Sequence, residues 1–183
     1  MFRLIVDDEI EIRMLEESDT NEVFELVNRN REHLRRWLIW VDRSDSPEVT
    51  RQFIKDSRRR YENKEAMSAG IWHNGQLAGA IGIVQYDWYN RKMEIGYWVS
   101  TDRQGKGIIT RSVAAMIDDA FMNLGLNRVE IQCATENLRS RAVPERLGFK
   151  RDGVMRESSL LNNEFVDKVI YSMLASEWKG RNR

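Results

Sequence analysis

The sequence predicts an α+β domain with a mixed, mostly antiparallel sheet of about seven strands flanked by helices. Three observations predict it. Short stretches of alternating polar and apolar residues recur along the chain, the two-residue period of half-buried strands. Between them lie longer stretches with apolar residues three and four apart, the period of amphipathic helices. The order of segments is strand, helices, three strands, helix, strand, helix, two strands. That order joins most strands through hairpins and leaves one or two parallel crossovers.

The elements follow from local chemistry. Ile10 to Leu15 alternates Ile10 and Ile12 with Glu11 and Arg13, a first strand. Ser18 or Asp19 is placed to cap a helix, with Glu22 three residues after Asp19 completing a capping box, and Val23, Phe24, Leu26 and Val27 form its apolar face. His33, Leu34, Trp37 and Leu38 recur at one-turn spacing as a second helix. Ser46-Pro47 opens a third, because proline suits the first helical position, and its face is Phe53, Ile54, Ser57 and Tyr61. Met67 to His73 and Gln76 to Tyr86 are strands joined through Asn74-Gly75, residue types that accept the two positive φ values of a type I′ turn. Met93, Ile95, Tyr97 and Val99 mark the next strand. Gly107 to Leu124 is a long amphipathic helix ended by Gly125. Arg128 to Ala134 is a strand, Arg139 to Leu147 a short helix, and Phe149 to Arg156 and Phe165 to Met173 the closing strands.

The chain has 183 residues, and no linker, repeat or low-complexity tract divides it, so one domain over residues 1–183 is expected. With 42% apolar residues and 17 aromatic ones it has the material for a core, and no apolar stretch reaches the length of a membrane span. The N-terminal residues lack the pattern of an export signal, and a single cysteine, Cys133, fits a reducing compartment, the cytoplasm. Two histidines and one cysteine make a zinc site an unfavourable expectation. The 29 basic and 29 acidic residues cancel, without the basic excess of a nucleic-acid binder.

Two stretches carry chemistry. Gln104-Gly105-Lys106-Gly107-Ile108-Ile109-Thr110 lies between a strand end and a helix start. Its glycines allow tight bending, and the unpaired N–H groups of the first helical turn point outward with the positive dipole end behind them, a place for a pyrophosphate. It has neither the Gly-Lys-Ser/Thr ending of a P-loop nor the spacing of a dinucleotide-binding turn, and a solvated surface loop explains it as well. The second is Asn137-Leu138-Arg139-Ser140, where Asn137 caps a helix and Ser140 presents a hydroxyl in its first turn.

Together with Leu147-Gly148-Phe149, these stretches resemble the Gcn5-related N-acetyltransferase superfamily. Glu94-Ile95-Gly96-Tyr97-Trp98-Val99, Leu126-Asn127-Arg128 and Ser140-Arg141-Ala142-Val143-Pro144-Glu145-Arg146 are similar to the RimJ/RimL-type ribosomal-protein N-acetyltransferases. Ile109 stands where the superfamily usually has a small residue. The resemblance implies the acyl-CoA N-acyltransferase (GNAT) fold and acetyl-CoA as cofactor, with a possible homodimer. Its pyrophosphate would lie on Gln104, Gly105, Lys106, Gly107, Ile108, Ile109 and Thr110. The pantetheine arm would pair with the backbone around Trp98 and Val99, with Asn137 at its side and Gly96 as a bulge opening the slot. Arg103, Lys106, Arg139 and Arg141 are candidate phosphate contacts, of which one or two are expected to serve.

The acceptor is an amine, either a protein N-terminus such as that of a ribosomal protein or a small polyamine or aminoglycoside-type molecule. An α-amine, with pKa near 7.7–8.0, needs only a modest base. Glu94 is the first candidate base, against the alternative of a plain strand carboxylate; Glu157 and a water are the others. A strand N–H near Trp98 or Val99 would polarise the carbonyl, and the resemblance gives Ser140 the role of protonating the leaving thiolate. Cys133 reads as a core thiol. His33 fits either packing or the acceptor site, Arg58-Arg59-Arg60 a solvated helix end, and Trp37, Trp40 and Trp88 either core or an acceptor groove.

Overall fold

A computed structural model describes residues 2–180. Its strands are β1 (Arg3–Ile5), β2 (Ile10–Met14), β3 (Met67–His73), β4 (Gln76–Asp87), β5 (Lys92–Val99), β6 (Arg128–Ala134), β7 (Lys150–Leu161) and β8 (Glu164–Leu174). The helices are α1 (Thr20–Arg29), α2 (Arg31–Leu34), α3 (Pro47–Glu62), α4 (Ile108–Met122) and α5 (Leu138–Arg146). The strands form one sheet in the order β1-β2-β3-β4-β5-β6-β8-β7. The eighth strand, β1, pairs with β2 from Arg3 opposite Arg13 to Ile5 opposite Glu11. Its three residues give too little alternation for a sequence pattern to register.

The sheet is buried on both faces. Met93 and Ile95 of β5 and Val129 and Ile131 of β6 pack in one core with Val113, Met116, Ile117 and Ala120 of α4. The other face carries a smaller core, in which Val23, Leu26 and Val27 of α1 and Ile54 of α3 meet Trp72 and Leu77. Asn74 and Gly75 take φ values of 52° and 75°, as the turn between β3 and β4 requires. Ser46 caps α3 by accepting from Val49 N–H at 3.4 Å, and Pro47 follows as its first residue. The face of α3 is rotated from the expected one: Thr50, Ile54 and Ser57 are buried, and Phe53 is 47% exposed.

The first helix starts differently from its sequence signal. Asp19 does not cap with Glu22. A 3-10 turn at Glu17–Asp19 precedes α1, and the reciprocal box is between Glu16 and Asp19. The Asp19 carboxylate takes two bonds from Arg13, at 2.9 and 3.0 Å, and one from Glu16 N–H at 2.8 Å, while Glu22 accepts from Leu77 N–H at 3.2 Å. Burial pushes the Asp19 pKa up, but the Arg13 pair and the Glu16 N–H outweigh it and hold the carboxyl below its ordinary value. Asp19→Asn is expected to cost about 2–3 kcal/mol at neutral pH, because it leaves Arg13 half-buried without its charge partner. A folded-state pKa below the unfolded one stabilises above the unfolded pKa, so the difference should fade as pH drops through the acid range. Urea denaturation at pH 7 and pH 3 measures both, and equal stability of the two proteins at pH 7 would refute it.

The helix expected around His33 to Leu38 is only one turn long, because Arg31 donates to Val41 O and Ser44 O, at 2.5 and 2.6 Å, and folds the following chain back.

The two parallel steps, β5 to β6 and β6 to β7, are carried by α4 and α5. The first pairing is short. It holds only from Lys92 opposite Arg128 to Glu94 opposite Glu130, after which β5 and β6 run on without pairing to each other. The bulge near this split is not at Gly96, which pairs in register with Gly82. It is Val84 on β4, skipped between the pairs Ile83–Ile95 and Gln85–Glu94. A Cβ on Gly96 would lie 3.1 Å from the Val84 side chain, so the glycine makes room for the bulge. Further along, Gly79 lets β4 approach β5 closely, since a Cβ there would stand 2.2 Å from Trp98 O.

Candidate active site

The split between β5 and β6 opens a cleft of about 1040 Å³ that reaches from α2 on one face to α4 and α5 on the other. Of the residues singled out in the sequence, Trp98, Val99, Gln104, Gly105, Gly107, Ile108, Ile109, Thr110, Asn137 and Ser140 all line it. Lys106 is exposed beside the loop and outside the lining. Glu94 is also outside. The alternation that turns Met93 and Ile95 toward α4 turns Glu94 and Trp98 to the other face, where Trp98 packs against the smaller core.

The start of α4 is built to receive an anion. Its N-cap is Gly107, at φ 72°, with no side-chain cap bond, and its first turn has no acidic residue. Gly105 has φ 75° as well, so two residues of this loop occupy the left-handed region where a side chain is disfavoured. The first-turn N–H groups of α4 thus keep their donors for a ligand. Arg139 and Arg146 of α5 line the same end, as does Arg111, which also pairs with Asp7 and Glu9 at 2.8 and 2.9 Å. Arg103 lines the cleft while held by His73, Gln76 and Asp102. Arg141 turns elsewhere, to Thr135 O and the Tyr171 hydroxyl, and cannot serve as the phosphate contact considered above.

Ser140 sits in the first turn of α5. Asn137 is the N-cap, its Oδ1 accepting from Ser140 N–H at 3.2 Å. The Ser140 Oγ lies 3.1 Å from Cys133 Sγ and 3.5 Å from the Tyr97 hydroxyl. Pro144, four residues on, has no N–H to give the Ser140 carbonyl, and Tyr97 supplies the missing donor at 2.9 Å. Burial pushes the Tyr97 phenol far above its ordinary pKa and raises the Cys133 thiol, so both stay neutral around the serine. Cys133 is a buried thiol of the core, as expected. Tyr97 is the member that sequence reasoning missed, and Pro144 was its available signal.

Glu94 accepts from Gln132 Nε2 at 3.1 Å. Burial raises its pKa; Lys168 and Lys92 draw it down less than burial and Glu130 push it up. Glu157 stands exposed at φ 49°, where β7 departs from its pairing with β8, and is not in the cleft lining. His33 and Trp37 do line the cleft, and Trp40 lies tilted on Trp98 with ring centroids 6.2 Å apart. Trp88 belongs to neither core nor cleft: it stacks on Tyr86 and donates to Lys64 O at 2.7 Å. Arg59 and Arg60 are exposed at the end of α3, a solvated face. Among the described residues no group of three or more His, Cys, Asp and Glu side chains converges as a metal set would, and no helix is long and apolar enough to cross a membrane.

The sequence profile of the acetyltransferase (GNAT) domain matches residues 9–150. The chain belongs to the GNAT acetyltransferase family. YdaF of Bacillus subtilis (strain 168), provisionally named a ribosomal N-acetyltransferase, is 41% identical over 98% of this chain and 99% of its own. The ribosomal-protein-serine acetyltransferase of Escherichia coli (strain K12) is 27% identical over 92% and 94%. Among solved structures, RimL, a ribosomal L7/L12 α-N-protein acetyltransferase in complex with coenzyme A, superposes with a TM-score of 0.92 at 26% identity, covering 94% of this chain and 98% of that one. The microcin C7 self-immunity acetyltransferase MccE, in complex with acetyl-CoA and AMP, superposes at 0.89 with 28% identity, covering 92% and 94%.

This GNAT protein is therefore an acetyl-CoA-dependent N-acetyltransferase. The cleft fits that cosubstrate on its own terms: a split sheet with free strand backbone, an uncapped helix start, and arginines at one end.

Proposed function

We propose that the protein transfers an acetyl group to the N-terminal α-amine of a protein, with a ribosomal protein as acceptor, by direct attack on the thioester. The observation that carries this reading is the cleft at the β5–β6 split, open on both faces of the sheet, so that acyl donor and amine can approach from opposite sides. The similarity of YdaF and the Escherichia coli enzyme over nearly their whole lengths supports the ribosomal acceptor, whereas the spermidine N(1)-acetyltransferases of Vibrio cholerae and Escherichia coli are 22% and 25% identical.

Acetyl-CoA supplies the activated acetyl group. Gln104 to Thr110 receives the pyrophosphate on backbone N–H groups, joined by Arg139 and Arg146. The free backbone edge of β5 near Trp98 and Val99 holds the pantetheine arm and polarises the thioester carbonyl, with Asn137 on the facing side. Glu94, directly or through water, takes the proton of the attacking amine, and Ser140 donates one to the departing sulfur. The reading includes a single acetyltransferase domain in the cytoplasm and a homodimer; sedimentation velocity at the mass of one chain would overturn the dimer.

Release of CoA thiol should depend on a peptide's free α-amine, and an N-formylated copy of the same peptide should give none. Turnover of spermidine with silence from every peptide would overturn the acceptor assignment and replace it with a small amine.

A further inference from the structure

Gln104 opens the cofactor loop with its side chain held from two directions. The Arg139 guanidinium on α5 donates to its Oε1, and its Nε2 lies 2.8 Å from Nε2 of His33 on α2. A guanidinium has only donors, so the amide oxygen must face Arg139 and the amide N–H must face His33. His33 Nε2 is then an acceptor, which fixes the ring as neutral with its proton on Nδ1. The environment agrees: burial, then the positive charges of Arg139 on α5 and Arg36 beyond α2, lower the His33 pKa. A second tie lies close by. Asn30, buried between α1 and α2, accepts from Thr101 N–H at 2.9 Å and from the Thr101 hydroxyl at 3.0 Å, and donates to Leu26 O. The segment Thr101–Gln104 is thus held at both ends by the corner that carries Trp37 and Leu38 into the cleft.

We propose that His33 is a positioning residue for acetyl transfer: as the neutral Nδ1–H imidazole it accepts the Gln104 amide, and so fixes α2, the cofactor loop and, through Arg139, α5 in one arrangement around the cleft. This rests on the reading that Gln104 to Thr110 receives the pyrophosphate. The arrangement sets the loop N–H groups before the cofactor arrives, and it fixes the Trp37–Leu38 wall relative to Ser140. Loss of the tie therefore weakens acetyl-CoA binding more than it slows the step that follows.

His33→Phe keeps the ring volume and removes the acceptor. It is expected to raise KM for acetyl-CoA and the dissociation constant of CoA about 5- to 10-fold, the loss of one hydrogen bond, with kcat at saturation within about 2-fold. His33→Gln returns an acceptor oxygen and should restore binding to within about 2-fold. Because the chain has only two histidines, ¹⁵N NMR of the imidazoles reads the tautomer directly in the unaltered protein, whatever the variants do to folding. The expected state at pH 8 is a protonated Nδ1 and a bare Nε2 on the ring whose signals vanish in His33→Phe. An Nε2–H tautomer, or CoA affinity unchanged in His33→Phe while Gln104→Ala weakens it, would overturn the tie alone. CoA affinity unchanged in Gln104→Ala would likewise overturn the tie; the cofactor-loop reading beneath it falls separately, if CoA leaves the backbone amide NMR signals of Gly105 to Thr110 unmoved.

Discussion

Ser140→Ala is expected to lower kcat about 100-fold while KM for acetyl-CoA changes less than about 3-fold. In the proposed reaction the lost hydroxyl is the proton donor to the departing sulfur. Positioned proton transfer contributes roughly 10²- to 10⁴-fold, and a thiol with pKa near 8.5 leaves tolerably as its anion, so the lower end applies. Neither neighbour replaces it. The Tyr97 hydroxyl donates to the Ser140 carbonyl, and the Cys133 thiol is buried in the core. The Asn137 cap engages the Ser140 backbone N–H rather than its Oγ, so the first turn of α5 stays formed in the variant. Stopped assays of CoA release against acetyl-CoA concentration separate the two constants. A kcat within about 3-fold of the original would remove Ser140 from the chemistry and turn attention to Tyr97.

The sequence made legible whatever depends on residues close together in the chain. The Asn74-Gly75 turn, the Ser46-Pro47 start of α3, and the alternation of β6 are local, and each recurs in the structure. The cleft was legible where two short strings each carry their own geometry: Gln104 to Thr110 before a helix, and Asn137 to Ser140 around a cap. What escaped depends on partners far apart in sequence. Glu22, expected in a capping box with Asp19, accepts instead from Leu77 N–H, 55 residues away on the face that α1 covers, and Asp19 turns to Arg13 of β2. The bulge lies at Val84 and not at Gly96, since a glycine marks the space a bulge needs as readily as the bulge itself. Tyr97 reaches Ser140 across 43 residues, and His33 reaches Gln104 across 71. Arg141 illustrates the converse: beside the serine in sequence, it turns from the cleft to pair with Tyr171.

Glu94→Gln is expected to lower kcat/KM at neutral pH by about 10- to 100-fold and to abolish one limb of the pH profile. Glu94 and Ser140 lie on opposite sides of the split sheet, the arrangement needed if the amine arrives on one face and the sulfur leaves on the other. Glutamine keeps the shape and the contact with Gln132, so the change isolates the proton-accepting role. The direction of the pH effect follows from burial, which raises the Glu94 pKa by disfavouring its charged form. A base works only when ionised, so activity should fall as pH drops through that raised value, at a higher pH than an ordinary carboxylate would give. The acceptor adds its own limb, since an α-amine with pKa near 7.7–8.0 becomes neutral as pH rises. That limb belongs to the substrate and should survive in Glu94→Gln, while the lower one vanishes. Profiles of kcat/KM from pH 5 to 9 for both proteins decide the matter. If the lower limb stays where it was and the rate falls less than about 3-fold, Glu94 is a structural carboxylate. The proton then leaves through water, because Glu157 is an exposed side chain on β7, away from the β5 strand that borders the split.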